Sequence, residues 1–210
     1  MTYTLYSYAR SGGAMVEAAL AEIGVACEIQ KVDLRSDEQR APAYLAVNPH
    51  GKVPALVTPE GDLLTETLAI LLTLDERHPE AGLLPLPGSA ERANALRWLA
   101  FAATELYPVV EILDYPARFA PSADAAAATR AVALGIWRDR LHTMEDQLPG
   151  NAPYLLGDRC SLTDIYWSVI TRWGTQPGWT AEHTPKLERQ FHAVAARPRI
   201  AAVWGDRWRV

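Results

Sequence analysis

The chain has 210 residues, 49% of them hydrophobic and 21% charged, a balance expected of a globular protein with a real core. A formal net charge of −5 argues against nucleic-acid binding, which needs a basic face. Two distant cysteines, Cys27 and Cys160, suggest neither a disulfide framework nor a zinc site, and no apolar run reaches the ~18 residues of a membrane span.

The chain opens with "TYTLYSY" (Thr2–Tyr8), rich in Tyr and Thr, which reads as a strand. No basic segment followed by an apolar run marks a signal peptide there, so a cytoplasmic protein is expected. "AMVEAALAEIG" (Ala14–Gly24) reads as a helix stopped by its glycine, and "CEIQKVDL" (Cys27–Leu34) as a second strand. "EQRAPAYLAVN" holds a short helical or irregular stretch. "NPHGKVPALVTPEGDLLTETLAI" (Asn48–Ile70) then carries two short strands around a Pro-Glu-Gly turn. Pro54 sits inside the first of them, where its missing N–H leaves a gap in the ladder; proline belongs at edges, strand starts or bulges. "ETLAILLTLDERH" (Glu66–His78) has helical length. The order β-α-β-α-β-β-α fits one small sheet with helices on its faces.

The Pro- and Gly-rich segment 79–89 punctuates the chain as a linker between a domain at 1–78 and a helical domain at 90–210. Ser89 is a candidate cap for a long helix through Tyr115, and Ser122 for one over Ala123–Leu148. Ser161 is a third cap, with Asp164 at the capping-box position, while Pro185 opens a further helix and Pro198 separates it from the last one. Trp167, Trp173 and Trp204 are expected in the core of the helical domain. The arginines of "RPRIAAVWGDRWRV" are expected on a solvated face.

Three stretches, "LYSYARSGG", "NPHGKVPAL" and "LLTETLAILLTL", come in an order and spacing that resemble the thioredoxin-like domain of glutathione transferases. "YLLGDRCSLTD" and "ARPRIAAVW" resemble that family's helical C-terminal domain, so the resemblance covers essentially the whole chain. It implies an α/β thioredoxin-like domain followed by an all-α domain. It also implies glutathione as co-substrate without a metal, a small apolar electrophile bound between the domains, and a homodimer.

The resemblance implies a cis Val53–Pro54 bond, with the Val53 N–H and C=O facing outward to pair with the cysteinyl backbone of glutathione, a strand addition by a peptide ligand. Glu66 and Thr67 open a helix whose N–H groups and dipole suit the γ-glutamyl carboxylate, with Glu66 for the ammonium group. Lys52 is matched to the glycyl carboxylate, with His50 beside it. Asn48 is expected to hold the turn.

A cysteine-like thiol is only about 3% thiolate at pH 7, so a hydroxyl near the sulfur is the expected activator. "LYSYARSGG" is most similar to the serine-using classes, including the zeta class of maleylacetoacetate isomerases, which places Ser11 in that role. Tyr6 and Tyr8 remain alternatives. The Ser-Cys pair of zeta enzymes is Gly12-Gly13 here, and the cysteine of beta-class enzymes falls at Gly12. Tyr107 stands where beta-class enzymes carry a histidine and is the candidate for contact with the electrophile. The activities implied are glutathione transfer, glutathione-dependent cis-trans isomerisation, or a transferase-like interaction module without catalysis.

Overall fold

The computed structural model describes residues 2–174, 176 and 178–205. The chain divides into two compact units. One runs up to Leu86 and resumes at Ala195; the other is Pro87–Val194.

The first unit is a thioredoxin-like sheet of four strands, β1 (Tyr3–Ser7), β2 (Cys27–Lys31), β3 (Ala55–Val57) and β4 (Leu63–Thr65), in the order β2-β1-β3-β4. β1 and β2 are parallel because α1 (Gly13–Ile23) crosses over between them; β3 and β4 are an antiparallel hairpin laid on β1. Alternation along β1 buries Tyr3, Leu5 and Ser7 and leaves Thr4 and Tyr6 half-buried. Gly24 ends α1 in the left-handed conformation, φ 86°. A short α2 (Pro42–Leu45) precedes the hairpin and α3 (Thr67–Arg77) follows it.

The segment 79–89 is not a free linker. Pro79–Ala81 forms a 3-10 turn, Leu83 and Leu84 are buried, and the Leu84 amide donates to the Asp75 carboxylate at 3.0 Å. Its apolar residues and this satisfied amide hold it in the first unit as far as Leu86.

The second unit holds α4 (Ala90–Phe101), α5 (Tyr107–Asp114), α6 (Ala126–Glu145), α7 (Leu162–Ile170), α8 (Trp179–His183) and α9 (Pro185–Ala195). Ser89 caps α4, its hydroxyl accepting from Arg92 N at 3.1 Å. The single helix expected from Ser89 to Tyr115 is instead broken by a π-helical turn over Ala102–Leu106. Pro108 is the physical cause: it has no N–H for the Thr104 carbonyl, and the Tyr107 amide reaches back five residues to Ala102. Ser122 is not a helix cap among the described residues; a 3-10 turn at Ala123–Ala125 comes first and α6 starts at Ala126.

All nine residues of α7 are buried. Its capping box is complete, and Asp164 also receives the Leu155 amide at 2.8 Å and Gln190 Nε2 at 2.9 Å. Burial pushes the Asp164 carboxyl up, against those four hydrogen bonds. Trp167 lies in this core, while Trp173 is only half-buried.

The last helix, α10 (Pro198–Trp204), belongs to the first unit and not to the helical one. Trp204 is buried there and its indole N–H donates to the Ala14 carbonyl at 3.0 Å. Arg197 is not on a solvated face: it makes a two-pronged contact with Glu22 of α1, at 3.0 and 2.6 Å. Arg207 and Arg209 lie outside the described residues.

Candidate functional site

Strand register decides what meets what in the first unit. Tyr6 pairs with Ala55, and Ala55 pairs with Thr65. The end of β1, the start of β3 and the end of β4 therefore share one end of the sheet. Ser11, the Val53–Pro54 pair and the Glu66–Thr67 pair all project from that end.

The Val53–Pro54 bond is cis. Pairing between β1 and β3 stops at Tyr6 and Ala55, so β1 does not engage the Val53 amide or carbonyl. Pro54 is buried and Val53 half-buried. The loop before them is tied down: the Lys52 carbonyl accepts from Tyr44 Oη and from Asn48 Nδ2, each at 2.7 Å. Asn48 Oδ1 accepts from the His50 amide at 3.1 Å, so Asn48 holds the turn. Burial pushes the Tyr44 phenol up to about 12. Gly51 takes φ 59°, and a Cβ there would stand 2.9 Å from the Gln39 carbonyl. The side chains of His50 and Lys52 are left exposed on this anchored loop.

Glu66 is exposed and adopts φ 66°, an uncommon conformation for a residue with a side chain, and Thr67 is buried at the first turn of α3. Among the described residues no side chain caps α3, so its first N–H groups point out at the sheet end uncapped. Arg10 has a similar backbone, φ 63°, just before Ser11.

Ser11 stands at the entrance of α1. Its Oγ accepts from the Gly13 amide at 3.1 Å and donates to the Tyr8 carbonyl at 2.7 Å. An oxygen that accepts one hydrogen bond polarises its own O–H and donates the better for it. Tyr6 leans on Tyr44, ring centroids 5.9 Å apart, and Tyr8 lies just past the strand; both are half-buried. Gly13 has no room for a side chain: a Cβ would come within 1.9 Å of Ser7 Oγ.

Tyr107 is in the second unit, directly after the π turn, and packs edge-on against Trp173 at 5.3 Å and Tyr166 at 6.4 Å. Trp98 is buried, and Tyr115 is exposed. Among the described residues no group of three His, Cys, Asp or Glu side chains suits a metal ion, and no helix is long and apolar enough to cross a membrane.

Sequence reasoning missed three contributors: Tyr44, which fastens Lys52; Arg10, whose backbone presents Ser11; and Ser7, whose hydroxyl fills the space at Gly13. Only the last had a signal, the glycine pair itself.

Residues 14–77 match the family model of the glutathione S-transferase N-terminal domain. The chain is 32% identical over 202 residues to maleylacetoacetate isomerase of Pseudomonas aeruginosa, covering 92% of each. It is 31% identical over 209 residues to glutathione S-transferase F10 of Arabidopsis thaliana, covering 97% of this chain and 91% of that one. A solved glutathione transferase homolog from Sulfitobacter, with bound glutathione, superposes with a TM-score of 0.87 at 30% identity over 96% of each chain. The chain belongs to the glutathione transferase family.

Proposed function

We propose that this protein is a glutathione transferase that uses Ser11 to activate the glutathione thiol for attack on small apolar electrophiles. The observation that carries the reading is the Ser11 oxygen, held by the Gly13 amide at a helix start, at the same sheet end as the cis Val53–Pro54 pair. Val53 pairs with the cysteinyl backbone, and Pro54 shapes that edge. Glu66 and Thr67, at the uncapped start of α3, take the γ-glutamyl end; Lys52 and His50 take the glycyl carboxylate. Tyr107 stacks on the electrophile or donates to its leaving group. Glutathione is a co-substrate here and no metal takes part.

The magnitudes suffice. Lowering a thiol pKa by two units takes about 2.7 kcal/mol. A hydrogen bond to a charged group supplies roughly 1.5–3 kcal/mol, and a helix N-terminus adds about 0.3–1 kcal/mol. Orientation of the tripeptide supplies the rest of the rate by making the attack effectively unimolecular.

The reading includes a cytoplasmic homodimer. An apolar groove of 340 Å³, lined by Val109, Ile112, Phe119, Val132 and Ile136, offers surface for a second copy to cover.

A second reading is cis-trans isomerisation of a maleyl compound, favoured by the identity to the Pseudomonas isomerase. Against it stands Gly13, which occupies the second position of the zeta-type Ser-Cys pair, where this backbone leaves no space for a side chain.

The test is titration of the bound glutathione thiolate by its ultraviolet absorbance, in the wild type and in Ser11→Ala. The wild type is expected to hold the thiol about one to two units below its free value of about 8.5, and Ser11→Ala to return it most of the way. An unchanged titration in Ser11→Ala would pass the role to Tyr6 or Tyr8. Glutathione binding without turnover of any electrophile would make the protein an interaction module.

A further inference from the structure

We propose that Ser7 is a positioning residue for thiol activation: its buried hydroxyl takes over the Tyr8 carbonyl when the Ser11 hydroxyl turns to the glutathione sulfur. The inference rests on Ser11 as the activator and adds a residue that the family resemblance does not supply.

The Tyr8 carbonyl is approached by three donors. The Ser11 amide lies at 3.1 Å, the Ser11 hydroxyl at 2.7 Å and the Ser7 hydroxyl at 3.4 Å. A carbonyl oxygen has two lone pairs. With the Ser11 hydroxyl in place, Ser7 is left at a long and weak distance. Once the Ser11 proton turns to a thiolate, one lone pair on Tyr8 is vacated, and Ser7 is the hydroxyl at hand to fill it. The exchange leaves the Tyr8 carbonyl with two donors throughout, so freeing Ser11 does not orphan an acceptor.

Ser7 is built for that place. It is 5% exposed, and its backbone is fixed by the ladder to β2, with Val32 N donating to the Ser7 carbonyl at 2.9 Å. Its Oγ occupies the space that a Cβ on residue 13 would need, so Gly13 is what lets the hydroxyl stand there. The same Gly13 amide holds the Ser11 oxygen through a lone pair, a bond that persists while the hydroxyl proton turns. Ser7, the Tyr8 carbonyl, Ser11 and Gly13 thus form one hydrogen-bonded chain, and Ser7 is its inner end.

Four full-length proteins test this: wild type, Ser7→Ala, Ser11→Ala and the double variant. Each is measured for the pKa of bound glutathione by thiolate absorbance and for affinity to S-methylglutathione by calorimetry. Ser7→Ala is expected to raise the thiol pKa by about half to one unit, the worth of one net hydrogen bond. Its S-methylglutathione affinity is expected to stay within about twofold, and in the Ser11→Ala background the substitution is expected to change nothing further. A Ser11→Ala shift with none in Ser7→Ala would overturn the role of Ser7 and leave that of Ser11 standing. An equal Ser7→Ala shift in both backgrounds, or lost S-methylglutathione affinity, would make the hydroxyl structural and overturn the proposal too. If Ser11→Ala shifts nothing, the Ser11 reading fails and takes this one with it.

Discussion

Glu145 and Lys186 each finish the other's helix. The Glu145 carboxylate, on the last turn of α6, accepts from the amides of Lys186 and Leu187 at 2.9 Å each, in the open first turn of α9. The Lys186 ammonium donates to the carbonyls of Glu145 and Leu148 at 3.0 Å each, where α6 has run out of its own donors. Both charges also have the sign that the adjoining helix end favours. Glu145→Ala is expected to cost about 1–2 kcal/mol and Lys186→Met about 0.5–1.5 kcal/mol in urea denaturation. The double variant should cost less than the sum, because the two residues share one junction. Full additivity would show the two caps to be independent.

Lys52 and Thr67 are assigned to the ends of glutathione, which do not change during reaction. Lys52→Met and Thr67→Val should therefore each raise the KM for glutathione by about 5- to 20-fold and leave kcat within about twofold. Steady-state kinetics with varied glutathione and any accepted electrophile decides this. A fall in kcat with KM unchanged would place either residue at the reacting sulfur instead.

Gly13→Ala forces a methyl group against Ser7 Oγ, at 1.9 Å before relaxation. α1 must move off β1 or Ser7 must turn, at a cost of about 1–3 kcal/mol. Thermal unfolding should show a lowered midpoint for Gly13→Ala and none for Gly150→Ala, where a Cβ would meet nothing within 4 Å. A wild-type midpoint for Gly13→Ala would mean that the helix is not seated as closely as described.

Glu188 sets part of the acid stability. Its burial alone would raise its pKa, but hydrogen bonds from Thr180 Oγ1 at 2.6 Å and Arg172 Nη1 at 2.7 Å outweigh that and hold it below the ordinary value. A carboxyl with a lowered folded pKa binds fewer protons folded than unfolded. Its contribution is thus complete above the unfolded value of about 4.3 and is lost as pH falls through the folded one. In urea midpoints measured from pH 7 down to 3, Glu188→Gln should lower stability at neutral pH and flatten the acid limb. An acid limb as steep as that of the wild type would assign the loss to other carboxyls.

The parts legible in the sequence were those with local causes. Tyr and Thr content marked β1, Gly24 stopped α1, Ser89 and Pro185 marked helix starts and Pro198 parted the last two helices, because each acts within a turn or two of itself. Ser122 misled because a serine before alanines fits a cap, whereas the chain there enters α6 through a 3-10 turn. The π turn was readable in principle from Pro108, a proline inside an otherwise continuous helical stretch. The placements of Trp204 and Arg197 were not readable, since their partners on α1 lie 190 and 175 residues away. At the candidate site the motifs named Ser11, Val53, Pro54, Glu66 and Thr67, which the fold brings to one end of the sheet. They did not name Tyr44 or Arg10, which have no motif of their own, and the one mark of Ser7 is the glycine pair whose second member leaves room for its hydroxyl.

The bond from Trp204 to Ala14 also orders events in time. During synthesis α1 leaves the ribosome early, with the face that α10 will cover still bare. At about 5–20 residues per second, the residues that cover it arrive roughly ten to forty seconds later. The whole second unit is made in that interval and can fold first. The unit that carries Ser11, Val53 and Glu66 is begun before the second unit and completed after it, so a chain stalled ahead of α10 leaves that face of α1 bare.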